Sequence, residues 1–327
     1  MRFLGRSLRK TASLALGVVM AVDQKQSMLV IIGATASGKS ELALEVATRA
    51  GAGAELLSVD SMQVYRHMDI GTAKPTAGER AKVPHHLIDV VEPDETFTVA
   101  RFVELADATI ADAAARNVPL VATGGTPLYY KALFEGMFEG PGASAEIRDR
   151  LRLLSNDELH ARLSAIDPPA AARLHRNDTR RLIRALEVHE LTGQTISSLQ
   201  KEWGESSQRH QAVWVGLDWD RDVLNRRVNA RVKAMIEAGW LDETRQLLAH
   251  HHELSKTAAE ATGYAELIRH LRGQMSLDDA IEQIKIATRQ LARRQMKWFR
   301  RFRNVTWIAG DRPLAEKIEL TMRAWAV

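Results

Sequence analysis

The chain has no cysteine. That excludes disulfides and cysteine-ligated zinc, and it fits a reducing compartment without requiring one. There is no internal repeat and no low-complexity tract. The only apolar stretch with a basic leader is "TASLALGVVMAV" behind "MRFLGRSLRK", which has four basic residues and no acid. It resembles a signal peptide or an amphipathic targeting helix, but its apolar part is too short to span a bilayer comfortably. A core strand begins at Met28, and Met20 and Met28 are both plausible starts. Residues 1–27 are therefore expected to be a disordered extension or a misassigned start, and no membrane association is expected.

The remaining composition is that of a globular chain. Its 327 residues are 45% hydrophobic and 26% charged, enough for a sizeable core and more than one domain. Net charge is only +4 although the pI is about 9.4. Such an excess matters where it is clustered.

The most informative stretch is "GATASGKS", Gly33–Ser40. It fits G-x-x-x-x-G-K-[ST] between the apolar run "MLVII" and the helical pattern of Leu42, Leu44 and Val46. Strand, glycine loop and helix together are the context that gives the pattern meaning. Small residues let the backbone wrap an oxyanion, and the helix start presents amides backed by its dipole. Lys39 adds a mobile charge and Ser40 a hydroxyl suited to Mg²⁺. The motif specifies polyphosphate, not ATP.

Further strands are expected at "AELLSVD", ending at Asp60, and at "VPLVATGG" (Val118–Gly125). A helix with Phe102, Leu105, Ala106 and Ile110 on one face lies between them. Alternating strands and helices predict an α/β fold with a parallel, P-loop NTPase-like sheet, whose ligands sit at the carboxyl ends of the strands. Gly33–Ser40, Asp60–Gln63 and Gly124–Thr126 should meet there. After the linker-like "EGPGAS", an arginine-rich helical segment runs from about Ala145 to Gln200. It includes "NDTRRLIRALEVHELTG", with Asn177 or Asp178 as N-cap and Gly193 past the end. "QAVWVGLDW" returns to the sheet, the chain is helical to about Phe302, and "NVTWIAG" is a last strand. The expected organisation is a core of 28–140 plus 208–327, with a helical insertion at 141–207 and a helical C-terminal region.

No acidic residue ends the strand at Val121, where an ATPase places its Mg²⁺-organising carboxylate. Asp60 ends a different strand. It can organise Mg²⁺ through water or act as general base for an acceptor. From Gln283 to Arg303, "QIKIATRQLARRQMKWFRRFR" has eight basic residues and no acid. Arg180, Arg181 and Arg184 form a second cluster, and Glu187 stands at pairing distance from Arg184. Two basic clusters, with Trp298 and Phe299 beside one, suit a phosphate backbone and exposed bases.

These residues resemble the bacterial tRNA dimethylallyltransferase (IPP transferase) family. The resemblance covers roughly Met28 to Gly310. It rests on "GATASGKS", "SVDSMQVYRHMDIGTAKP", "PHHLIDVVEP", "TGGTPLYYKAL", "NDTRRLIRALEV" and "TRQLARRQMKWFR" in the family's order. It implies transfer of a dimethylallyl group from dimethylallyl diphosphate to the exocyclic amine of the adenine 3′ of the anticodon, in tRNAs reading codons that start with U. It implies a diphosphate site at Gly33, Ala34, Thr35, Ala36, Ser37, Gly38, Lys39, Ser40 and Arg231, with Mg²⁺ at Ser40. Asp60 would be the base, with Thr126 and Arg148 lining the reaction channel. Asp60, Ser61, Met62 and Gln63, and Arg180, Arg181, Leu182, Ile183 and Arg184, would touch the tRNA anticodon stem-loop. A cytoplasmic monomer is implied.

The chain departs from the family in places. Ala34 stands where many members have proline. "EA" precedes "TGY" (Thr262–Tyr264), where some relatives carry a basic residue. The zinc finger of longer forms is absent. "HHH" (His250–His252) matches no family pattern and reads as a solvated loop. Trp203, Trp214, Trp219 and Trp240 read as packing residues. A P-loop small-molecule or nucleotide kinase is the competing reading, and it leaves the basic clusters unused. A non-catalytic RNA-binding protein leaves Lys39, Ser40 and Asp60 unexplained.

Overall fold

A computed structural model describes residues 28–50, 53–136, 140–199, 209–251 and 253–325. The N-terminal extension, Trp203 and His252 lie outside the described residues. Six strands, β1 (Met28–Gly33), β2 (Glu55–Ser58), β3 (His85–His86), β4 (Leu120–Thr123), β5 (Ala212–Asp218) and β6 (Val305–Ala309), form one sheet in the order β3-β2-β4-β1-β5-β6. Every pairing is parallel. All six residues of β1 are buried, because helices cover both faces. That is why its sequence is a continuous apolar run and not an alternation. Met28, Val30 and Ile32 enter the cluster holding Phe102, Tyr130 and Phe299, while Leu29 and Ile31 enter the one holding Leu42, Val46 and Ile318.

Helix α1 (Lys39–Arg49) follows the glycine loop. The short α2 (Ala77–Lys82) opens with a capping box of Thr76 and Glu79. In α3 (Val99–Ala115), Phe102 and Ala106 are fully buried and Leu105 and Ile110 pack at the edge of the same core. Next, α4 (Pro127–Glu135) starts directly after the loop Gly124–Thr126. Helices α5 (Ala145–Arg152), α6 (Asn156–Ile166), α7 (Pro168–Arg173) and α8 (Thr179–Thr192) surround a separate cluster of Leu151, Leu159, Leu163, Leu182 and Leu186. Asp178, not Asn177, caps α8, and Gly193 ends it in the left-handed conformation.

The helical region expected to about Phe302 is present as five separate helices. The segment comprises α9 (Arg221–Glu237), α10 (Trp240–His250), α11 (Lys256–Ala259), α12 (Tyr264–Leu271) and α13 (Leu277–Phe299). Gly239 and Gly263, at φ 99° and 94°, break it where the chain turns. The side chain that any other residue would carry at Gly263 would collide with Trp240, whose ring atoms approach to 2.0 Å. The two-residue β3, on the sheet edge, is too short to leave a periodic signal. Helix α14 (Leu314–Trp325) closes the chain against α1. Among the described residues no helix is long and apolar enough to cross a membrane.

Candidate active site

A cavity of about 1050 Å³ opens at the carboxyl ends of β1, β2 and β4. It gathers Lys39 and Ser40 with Asp60–Gln63, Thr123–Thr126 and Arg231, and across from them Arg148, Arg180 and Ile183. This is where a parallel sheet places its ligands.

The glycine loop is shaped by its own backbone and by braces from elsewhere. Ala36 and Gly38 take left-handed φ values of 63° and 89°. A side chain at Gly33 would meet Ser37 Oγ at 2.6 Å. Arg227 Nε donates to the Ala36 carbonyl at 2.9 Å and Trp219 Nε1 to that of Ser37 at 2.9 Å. The Arg227 guanidinium also stacks over the Trp219 ring at 4.3 Å. Not every loop amide is available to a ligand. The Thr35 N–H donates to Gln295 Oε1 at 2.8 Å and that of Ser37 to Ala34 O at 3.1 Å. Lys39 and Ser40 open α1, so their N–H groups have no intrahelical acceptor.

Two cations converge here. Lys39 is buried, and among the described residues its ammonium donates to the Ala34 carbonyl alone, at 3.4 Å. Burial pushes its pKa down to about 8, the Arg231 charge pushes the same way, and Asp60 partly offsets both. Burial also lowers the Arg231 pKa, against the pull of Asp60. Two weakly neutralised cations beside a carboxylate make a site for an anion larger than Asp60 itself.

Asp60 is held by backbone donors. Its Oδ1 accepts the N–H groups of Met62 (2.9 Å) and Gln63 (3.4 Å), and its Oδ2 that of Gly125 (3.3 Å). Gly124 permits this approach, since a Cβ there would lie 2.1 Å from the Val59 carbonyl oxygen. The Thr126 hydroxyl accepts the Ser61 N–H at 2.9 Å and donates to Ser61 Oγ at 3.2 Å. The Gln63 amide faces inward, accepting from Ser58 Oγ at 2.9 Å and donating to the Ala73 carbonyl at 3.1 Å.

The insertion-side residues divide. Arg148 makes a two-point ion pair with buried Glu187, at 2.8 and 2.9 Å. Arg184 joins the same carboxylate at 2.7 Å. Arg180 crosses the cavity mouth to Glu260 at 2.6 Å, so the acid in the departing "EA" has a partner of opposite sign. Arg181 is exposed, 3.5 Å from Asp178. Leu182 corrects the expectation: it is 0% exposed inside the helical cluster, so its side chain supports the surface that Arg181 presents and cannot itself contact RNA. Ile183 is buried but borders the cavity.

Along α13 and the residues that follow it, Lys285 pairs with Glu282 and Arg300 with Asp218. Among the described residues no acid stands within ion-pair distance of exposed Arg293, Arg294, Lys297 or Arg303. The other singled-out side chains pack. Trp214 and Trp240 are buried, and His251 lies 3.6 Å from Asp94. No cluster of three metal-ligating side chains occurs among the described residues. Sequence reasoning missed Gln295, Arg227 and Glu243, and read Trp219 as packing without its hydrogen bond to the loop. Glu243 accepts the N–H groups of Asp69, Ile70 and Gly71 and the Tyr264 hydroxyl, fixing the turn that brings Gly71 to the cavity.

The chain is similar to known proteins of one family. Residues 63–302 match the IPP transferase family and residues 26–89 match isopentenyl transferase. A tRNA dimethylallyltransferase of Geobacter metallireducens is 45% identical over 293 residues, 88% of this chain and 94% of that protein. One from Anaeromyxobacter dehalogenans is 46% identical over 300 residues, 89% and 99% of the two chains. The tRNA isopentenylpyrophosphate transferase structure from Bacillus halodurans superposes with a TM-score of 0.65 at 37% identity, covering 91% of this chain and 98% of that one. A eukaryotic dimethylallyltransferase captured acting on tRNA gives 0.70 at 29% identity, over 84% and 70%. The glycine loop, Asp60 and the basic face therefore stand in a chain that belongs to the IPP transferase family.

Proposed function

We propose that the cavity transfers a dimethylallyl group from dimethylallyl diphosphate to the exocyclic amine of the adenine 3′ of the anticodon in tRNA. The observation that carries this reading is the meeting of Lys39, Arg231 and Asp60 in one cavity at the sheet edge. The diphosphate lies at the start of α1, held by its opening amides, Lys39 and Arg231. Ser40 is exposed at that point and Asp60 shares the cavity. This sparse oxygen set fits Mg²⁺, which keeps most of its waters and takes further ligands from phosphate. When bound, the ion supplies charge neutralisation to the leaving diphosphate.

The allylic C–O bond breaks as the adenine amine forms the new C–N bond. Lys39 and Arg231 stabilise the negative charge left on diphosphate. Asp60 accepts the amine hydrogen bond and takes the proton. Its three backbone donors hold the carboxylate in place while leaving acceptor capacity toward the cavity. A stacked base cannot reach this depth, so the adenine is splayed out of its loop. The tRNA backbone lies along Arg180, Arg181 and the unpaired basic residues of α13, with 141–207 as the RNA-binding unit of a monomeric cytoplasmic enzyme. A kinase would have no use for that face, and no carboxylate ends β4 to organise ATP-bound Mg²⁺.

The test is incubation with labelled dimethylallyl diphosphate or labelled ATP, with and without tRNA, followed by mass spectrometry of the tRNA nucleosides. Prenyl-adenosine formed only with both tRNA and the prenyl donor is expected. Phosphate transfer from ATP without RNA would overturn the reading.

A further inference from the structure

One buried side chain joins the diphosphate loop to the base. Gln295 lies on α13, 6% exposed, 260 positions from the loop it touches. Its Oε1 accepts the Thr35 N–H at 2.8 Å, and its Nε2 donates to the Gly125 carbonyl at 2.7 Å. The N–H of the same Gly125 donates to Asp60 Oδ2 at 3.3 Å. The amide orientation is fixed, because one partner is a donor and the other an acceptor. Gly125 has room for no side chain here. A Cβ would stand 2.7 Å from Gln295 Nε2 and 3.2 Å from Asp60 Oδ2.

From this chain of contacts we infer that Gln295 is a positioning residue coupling the diphosphate loop to the orientation of Asp60. The inference rests on the reading of Asp60 as base. Displacement of Thr35 when the loop closes on an anion moves the Gln295 amide, which moves the Gly125 peptide against the carboxylate. An aspartate set by the loop's own occupancy acts on the amine only when the donor is in place. A neutral amide can do this and glutamate cannot, since glutamate has no donor for Gly125 and would add charge facing the diphosphate. Misplacement by about 1 Å can lower a rate about 10²-fold without loss of binding.

The test is a double-mutant cycle on the full chain, read as single-turnover prenyl transfer with separate titrations of dimethylallyl diphosphate and tRNA. Gln295→Met is expected to lower the rate by about 10- to 100-fold, leaving both affinities within about threefold. In an Asp60→Asn background the same change should cost less than about threefold, because the group it positions is gone. If Gln295→Met melts early, Gln295→Asn is used: it keeps the amide but is one methylene too short to span both partners, and it should show the same pattern. A full multiplicative loss on top of a crippled Asp60→Asn variant would overturn the coupling and leave Asp60 as base. A wild-type rate for Asp60→Asn would overturn the base assignment and the coupling with it. An unchanged rate in a folded Gln295 variant would overturn the coupling alone.

Discussion

Arg148 and Glu187 form a closed two-point ion pair, with Nε and one terminal nitrogen of the guanidinium each meeting a carboxylate oxygen, at 2.8 and 2.9 Å. The pair links α5 to α8 under the surface that faces the cavity. Arg184 and the Ser144 N–H complete the set of donors to the carboxylate. Glu187 thereby turns two arginines assigned to substrate into fixtures of the helical cluster, with one edge of Arg148 left toward the cavity.

Removing that carboxylate should loosen the cluster. Arg148 and Arg184 remain about a third exposed, so their charges can recover water, and Glu187→Ala is expected to cost about 3 kcal/mol or less. Burial pushes the Glu187 pKa up, but the hydrogen bonds from Arg148 and Arg184 outweigh it, and the net shift is down from 4.5. With a lowered folded value, the contribution is complete above the ordinary pKa and is lost as pH falls through the folded one. Urea unfolding of wild type and variant at neutral and acid pH checks this: the difference between them should shrink on acidification.

The diphosphate site should weaken in base. The Lys39 pKa is about 8, so the free protein loses that charge as pH rises past this value. An anion beside the ammonium favours the protonated form, so binding takes up a proton there. Affinity for inorganic diphosphate, measured by calorimetry and compared with the Lys39→Arg variant to cancel the ligand's own protonation, should decline as pH rises above about 8. Lys39→Arg should flatten the decline, and an unchanged slope in that variant would assign the titration elsewhere.

Much of the site was legible because its parts are local. Met28–Ile32 and Gly33–Ser40 sit side by side, and Asp60 ends its run of buried residues, so strand, loop and carboxylate could be placed on one edge without coordinates. What escaped is tertiary. Gln295 sits inside a basic helix and shows no pattern of its own; its meaning lies in Thr35, far away in sequence. Glu187 was visible as a partner of Arg184 at helical spacing, but not of Arg148. Leu182 stood among arginines and was grouped with them, although its position on α8 turns it into the cluster. The glycines at 239 and 263 were visible as possible helix ends, but the close approach of Trp240 to Gly263 and the two-residue β3 at the sheet edge are tertiary features that local propensity does not encode.

Affinity for tRNA should be dominated by phosphate contacts. Arg293, Arg294, Lys297 and Arg303 have no acidic partner within ion-pair distance among the described residues, whereas Lys285 and Arg300 do. Counterion release makes log affinity fall linearly with log salt, by a little under one unit of slope per phosphate neutralised. Arg293→Glu should reduce that slope by about 1, while Lys285→Glu should change it less. Filter binding across a salt series distinguishes the two positions.

The last expectation concerns Asp60 itself. Its carboxylate is fixed by the N–H groups of Met62, Gln63 and Gly125, and Asp60→Asn keeps the shape while replacing one acceptor oxygen by a donor. General-base catalysis is worth about 10²–10⁴ in rate, so single-turnover transfer should fall within that range. Affinity for dimethylallyl diphosphate should not fall, because Asp60 repels that anion, and loss of its charge leaves Lys39 and Arg231 less neutralised. A slight gain is expected. The alternative role, organising Mg²⁺ through water, predicts the opposite: weaker diphosphate binding that added Mg²⁺ partly restores. Titrating Mg²⁺ against diphosphate affinity in the Asn variant separates the two. Tighter binding with a slow rate assigns the proton to Asp60, weaker binding rescued by metal assigns the ion, and an Asn variant with wild-type turnover and affinity leaves Asp60 as a turn residue at the end of β2.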